Sequence, residues 1–215
     1  MEVLWSEYGG SFAAGLGITL YLTAVSFVAA MVIGTIIAAF RISPIAPLRV
    51  VGLIHVEIFR NIPLMSLIIL VVYALPEIEV LLSYETAIIV SMSLVGSAFV
   101  CEALRTGINS VGVGQIEAAR SIGLPFVGVL RYVVFPQAFR SMVQPFVTIL
   151  IAIFLSSSLA GVVGVTDLTQ TVSWINNRES LGLVTFLVAA VIYSLISLGI
   201  ATLGARLETR VRVLR

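Results

Sequence analysis

The 215-residue sequence predicts an all-α integral membrane bundle of five transmembrane helices, with a short cytoplasmic helix between the third and the fourth. Three observations predict it. Hydrophobic residues make up 60% of the chain and charged residues 11%, with a mean hydropathy of +1.14, outside the range of a water-soluble domain. Three long stretches (11–40, 141–166 and 180–205) carry no charge at all. The basic residues, all arginine, gather in a few connections, as the positive-inside rule requires of cytoplasmic loops.

No water is available in the hydrocarbon core to satisfy backbone groups, so an apolar chain crosses it as helices of roughly 20 residues. The first span covers about 11–40. As a helix it is about 45 Å long, so it tilts or extends beyond a core of about 30 Å. The second, about 50–75, is interrupted by His55, Glu57, Arg60 and Pro63, which predicts a kink or a polar inner face. The third covers about 85–105. A connection of about 106–140 follows, with a helix-compatible run at Gln115–Ile122 between Gly114 and Gly123. Pro125 and Pro136 break this connection into short pieces, which favours two small surface helices over another span. The fourth span covers about 141–166 and the fifth about 180–205. Glycines 9, 10, 15, 17 and 34 offer places for close helix approach, and the outer connection 165–178 reads as a loop.

Ten of the twelve arginines (41, 49, 105, 120, 131, 140, 206, 210, 212 and 215) lie on one side of this arrangement. The other side carries Glu2, Glu7, Glu77, Glu79, Glu85, Asp167 and Glu179, with Arg178 as its only base. The N-terminus is therefore expected outside and the C-terminus in the cytoplasm. The opening MEVLWSEYGG has two acids and no base, the wrong lead for a cleaved signal peptide. Without lysine the chain cannot complete a Walker A phosphate loop. One cysteine, Cys101, and one histidine, His55, exclude a disulfide framework and an ordinary zinc site. A net charge of +1 offers no nucleic-acid surface.

The cytoplasmic connection reads GQIEAARSIGLPFVGVLRYVVFPQAF and resembles the EAA signature of permease subunits of bacterial ABC importers. Glu117-Ala118-Ala119 is followed by three residues and Gly123, then by nine residues and Val133-x-Phe135-Pro136. The spacing is that of the family, with two apolar replacements. GLGITLYLT (15–23), EIFRNIPLM (57–65), GSAFVCEALRTGI (96–108), PQAFR (136–140) and SSLAGVVGVTDL (157–168) look like its polar amino acid branch.

The resemblance implies ATPase-coupling residues Gly114, Gln115, Glu117, Ala118, Ala119, Gly123 and Pro136, on a helix that docks on a separate ATP-binding cassette subunit. ATP and Mg would be bound by that subunit, so this chain carries no cofactor and is not itself an enzyme. The resemblance also implies a second permease chain, identical or related, an extracytoplasmic amino acid-binding protein with 165–178 as its dock, and a bacterial inner-membrane location among lipid. An ATP-independent secondary transporter or channel would show inverted repeats or broken helices, and a purely structural membrane protein has no use for the EAA spacing.

Ionisable groups at membrane depth need a partner or a role. Glu57 and Arg60, and again Glu102 and Arg105, are spaced i, i+3 and can neutralise one another, or they line a pathway. The expected substrate-pathway residues are Arg60, Ser97, Phe99, Glu102, Thr148, Ser156, Ser157 and Ser158. Many polar amino acid permeases carry Asn, six residues and Lys-Asp-Thr-Ser-Leu in span four, where this chain has Thr148, Leu155, Ser156, Ser157, Ser158 and Leu159. The lost aspartate argues against a basic substrate and leans towards glutamate, aspartate or glutamine. The three serines can hold a ligand or bond back to their own helix. Cys101 is expected to serve packing, and His55 to be a satisfied interfacial histidine.

Overall fold

The structure, a computed structural model, describes residues 2–211. They form eight helices when contiguous turns are joined: α1 Glu2–Ile42, α2 Ala46–Asn61, α3 Leu64–Ile78, α4 Tyr84–Asn109, α5 Val113–Ser121, α6 Phe126–Val163, α7 Leu168–Glu179 and α8 Gly182–Val211. No strand occurs among the described residues. Helices α1, α4, α6 and α8 are each long and apolar enough to cross a membrane, and α2 with α3 is a bent pair that reaches that length and hydropathy only when taken together. The chain is an all-α membrane bundle. Arg212 and Arg215 lie outside the described residues.

The second span departs most from a continuous helix, because α2 and α3 meet at 105°. The cause is local. Pro63 disfavours helical backbone in the residue before it, and Ile62 is extended at φ −83, ψ 131, so α2 ends at Asn61.

The fourth long helix begins at Phe126, not near 141, so the connection after α4 shrinks to 110–125 and holds one short helix, α5, in place of two. Pro136 does not end α6, because the turn Leu130–Val134 is π-helical and the Phe135 amide bonds to the Leu130 carbonyl; the helix also runs on through Pro145. That extra residue in the turn shifts the hydrogen-bond register just before Pro136, which has no amide to donate. At 38 residues, α6 is about 57 Å long. Its last seven residues, Ser157–Val163, tighten to a 3-10 helix that stops at Gly164, φ +90.

The connection 165–178 is also a helix and not a loop. The Asp167 carboxylate accepts from the Gln170 amide at 2.8 Å and caps α7, and Leu168, Thr171, Val172 and Ile175 give it a buried face. Its i, i+3, i+4, i+7 spacing is legible, but among polar residues it reads as a solvated loop.

The core lies between α1 and α4, where Leu22, Ala30, Ile88, Met92 and Val100 are buried together with Ile68 and Ile153. Among the glycines, Gly34 is packed on Val100 and Gly15 on Asp167 and Thr171, whereas Gly9, Gly10 and Gly17 face open space. Close approach therefore explains two of the five.

Candidate functional site

Helix α5 begins after Gly112 and presents two unlike faces. Ala119 is buried in a cluster with Val111, Val129, Val134, Ala138 and Met142. Gly114, Gln115, Glu117 and Ala118 are exposed. Gly123 closes the helix in the left-handed region at φ +85, where a side chain is strained and an added Cβ would meet nothing. Of the expected coupling residues, Pro136 alone lies off this loop, exposed in the first turn after the π segment of α6. Gln137 donates to Gln115 at 2.5 Å and so joins the two stretches. One turn on, the Ser141 hydroxyl donates back to the Ala138 carbonyl at 2.8 Å and that of Ser110 to the Gly107 carbonyl at 2.7 Å, with the two hydroxyl oxygens 3.1 Å apart.

The polar groups at membrane depth separate into three sets. Near the end of α1, Glu102 accepts from Arg105 at 3.0 Å and from Arg41 at 3.2 Å. The i, i+3 pair is thus present, with a second arginine from another helix. Arg41 is a partner that sequence spacing cannot show, because it lies 61 positions away.

Deeper in the bundle, His55 Nε2 lies 2.8 Å from the Ser97 hydroxyl, with its ring tilted against Phe59 at 4.7 Å. Ser97 also donates to the Leu94 carbonyl, so both polar side chains are satisfied. The third set is open. Among the described residues Arg60 forms no ion pair with Glu57; its guanidinium lies 5.9 Å from the Phe99 ring centroid, while Glu57 accepts from Asn61 at 3.5 Å. Arg60, Glu57 and Asn61 are exposed, as is Phe99.

The hydroxyls of α6 turn back on their own helix. Thr148 donates to Gln144, Ser157 to Phe154 and Ser158 to Leu155. Ser156 is half-buried at the last α-helical position. None of the described hydrogen bonds joins these residues to Arg60 or Phe99. Cys101 is buried, and no three His, Cys, Asp or Glu side chains converge as a metal site among the described residues.

At the start of α7, Asp167 is buried and accepts from Tyr193 of α8 at 3.4 Å, while the next amide, Leu168, donates to Thr19 of α1 at 3.1 Å. Burial pushes its carboxyl above the usual carboxylate range, against the opposing pull of the hydrogen bonds from Gln170 and Thr169. An open cavity of about 320 Å³ lies beside it, lined by Ser11, Gly15 and Ile18 of α1 and by Gln170, Thr171 and Trp174 of α7. Trp174 is exposed and stacks under Arg178, 5.7 Å from its ring centroid.

Residues 9–213 match the family model described as "Binding-protein-dependent transport system inner membrane component". The chain is 34% identical over 199 residues to the probable glutamine ABC transporter permease protein GlnP of Bacillus subtilis, covering 91% of each chain. It is 34% identical over 212 residues to the glutamate transport system permease protein GluC of Corynebacterium efficiens, covering 92% of each. It superposes on the crystal structure of an amino acid ABC transporter with histidines with a TM-score of 0.91, at 29% identity, over 95% of this chain and 96% of that one.

Proposed function

We propose, on the premise that the chain belongs to the family of binding-protein-dependent transport system inner membrane components, that it imports a polar amino acid as one half of a permease driven by a separate ATPase. The observation that carries this is α5: a nine-residue helix between two membrane-length helices, with Glu117 and Ala118 exposed and Ala119 buried against the base of α6. Small side chains let a partner surface approach closely, and Glu117 offers it a charge. Gly114, Gln115 and Gly123 shape the ends of this helix and Pro136 the stretch it rests on. ATP and Mg belong to the docked subunit, whose closure would be transmitted as a rigid-body movement. We place the N-terminus outside and the C-terminus in the cytoplasm, from the arginine bias.

Arg60 and Phe99 are the pathway residues we favour. An exposed guanidinium at membrane depth is unsuited to lipid, so this face of the bundle is read as turned to the translocation route and to a second permease chain. A cation without a carboxylate partner among the described residues fits a substrate with a free carboxylate, and glutamate, aspartate or glutamine are the candidates, in line with what the names of the relatives above say of those proteins. Ser97 and Glu102 have internal partners, and Thr148, Ser157 and Ser158 bond back to their helix, so we assign them to the frame of the route. The face of α7 with Trp174 and Arg178 is our candidate dock for an extracytoplasmic binding protein.

The test is uptake of labelled glutamate, glutamine and arginine into cells deleted for the gene and complemented with wild type or with Glu117→Lys plus Gly123→Trp. Loss of one uptake in the deletion, restored by wild type and not by the loop variant at equal membrane expression, is expected. Full uptake by the variant overturns the assignment of α5.

A further inference from the structure

On that reading of α5, we propose that Gln137 is a positioning residue: its amide, bonded to Gln115, ties α5 to the base of α6 so that the two move as one lever. Gln115 and Ala119 are four residues apart and share one face of α5, while Gln137 and Ser141 share one face of α6. The seam between them has an apolar part, Ala119 against the Val129, Val134 and Ala138 cluster, and a polar part, the 2.5 Å bond from Gln137 to Gln115. Helix α5 also packs on residues 126–134, the first turns of α6.

The connections at the two ends of α5 carry Gly112 and Gly123, and its first turn Gly114, each in open space, so the backbone alone holds its orientation weakly. The apolar contacts of Ala119 and of the half-buried Ile116 with this cluster have no direction of their own and leave α5 room to roll; a hydrogen bond has a direction and opposes it. One turn along α6, the Ser141 hydroxyl lies against that of Ser110 at the end of α4, 3.1 Å away, so α6 also touches α4 there. A force applied to the exposed Glu117 face is therefore delivered to α6, whose far end is the 3-10 segment leading into α7.

The test uses the complete complex of permease, ATPase and binding protein in vesicles, with uptake of labelled glutamine or glutamate and ATP hydrolysis measured on the same preparation. Gln137→Leu and Gln115→Leu are each expected to lower substrate moved per ATP about fivefold, the worth of one net hydrogen bond, with the ATPase still co-purifying. The double variant should be no worse than either single one. In a Cys101→Ser background, joining Gln115→Cys to Gln137→Cys with a short bifunctional thiol reagent should return the ratio to its starting value. Unchanged or additive single effects overturn the proposal, as does a cross-link that stops uptake while hydrolysis continues. If the Glu117→Lys plus Gly123→Trp variant transports normally, the assignment of α5 fails; if it is dead and the glutamine variants are normal, only the tie fails.

Discussion

Single side chains decide how the charges in this apolar chain are tolerated. Glu102 stands between two arginines from different helices, with Arg41 more buried than Arg105. Glu102→Gln leaves both guanidiniums facing a neutral group, and should lower the thermal midpoint of the purified protein by the equivalent of about 1–3 kcal/mol. Arg105→Gln should cost less, because Arg41 still holds the carboxylate; equal losses would show that the α1–α4 link carries no extra weight.

Asp167 makes a sharper case, since it caps α7 while its charge is buried. Its folded-state value is raised above its unfolded value, so the stability it lends is full below the unfolded value and is lost as pH rises through the folded one. Asp167→Asn, which keeps a capping oxygen, should flatten that loss, while Asp167→Ala should cost about 1 kcal/mol of cap at neutral pH. Melting curves of wild type and both variants across pH check this, and a wild-type profile as flat as that of Asp167→Asn would sink it.

The helices depend on where proline is allowed to act. Pro63 breaks the second span because the residue before it must extend, whereas Pro136 leaves α6 intact because a π turn comes before it. Pro63→Ala should let α2 run on towards α3 and should lower uptake at least tenfold with little change in expression, since Arg60 and Asn61 sit at the break. Normal uptake would mean that the 105° bend is incidental.

The serines of α6 argue the opposite way. Their hydroxyls return to carbonyls three residues back in the helix, so Ser157→Ala and Ser158→Ala should leave the apparent affinity for substrate within about twofold. A tenfold change would restore them as ligand groups.

Across the whole molecule, packing rests on α1 against α4, with Gly34 placing the two backbones in contact. Gly34→Leu overfills that seam and should destabilise the protein by about 1–3 kcal/mol, read as loss of monodisperse protein in detergent, while Gly17→Leu, facing open space, should be silent. The equivalence of these two glycines in the sequence shows the limit of small-residue patterns: each permits close approach, and only the neighbour decides whether it occurs.

Membrane class, arginine asymmetry and the EAA spacing are all properties of composition and local order, so the sequence by itself determined them. Helix α7 and the long start of α6 were hidden for a related reason. Polar residues in the first and prolines in the second obey local rules that tertiary contacts and a π turn override. Which polar groups pair was also decided only in three dimensions. Arg41 reaches Glu102, His55 reaches Ser97, Gln137 reaches Gln115, and Arg60 passes over Glu57 to lie by Phe99. Helical spacing proposes partners within four residues, whereas these contacts join groups 22 to 61 positions apart, which only the folded arrangement of separate helices brings together.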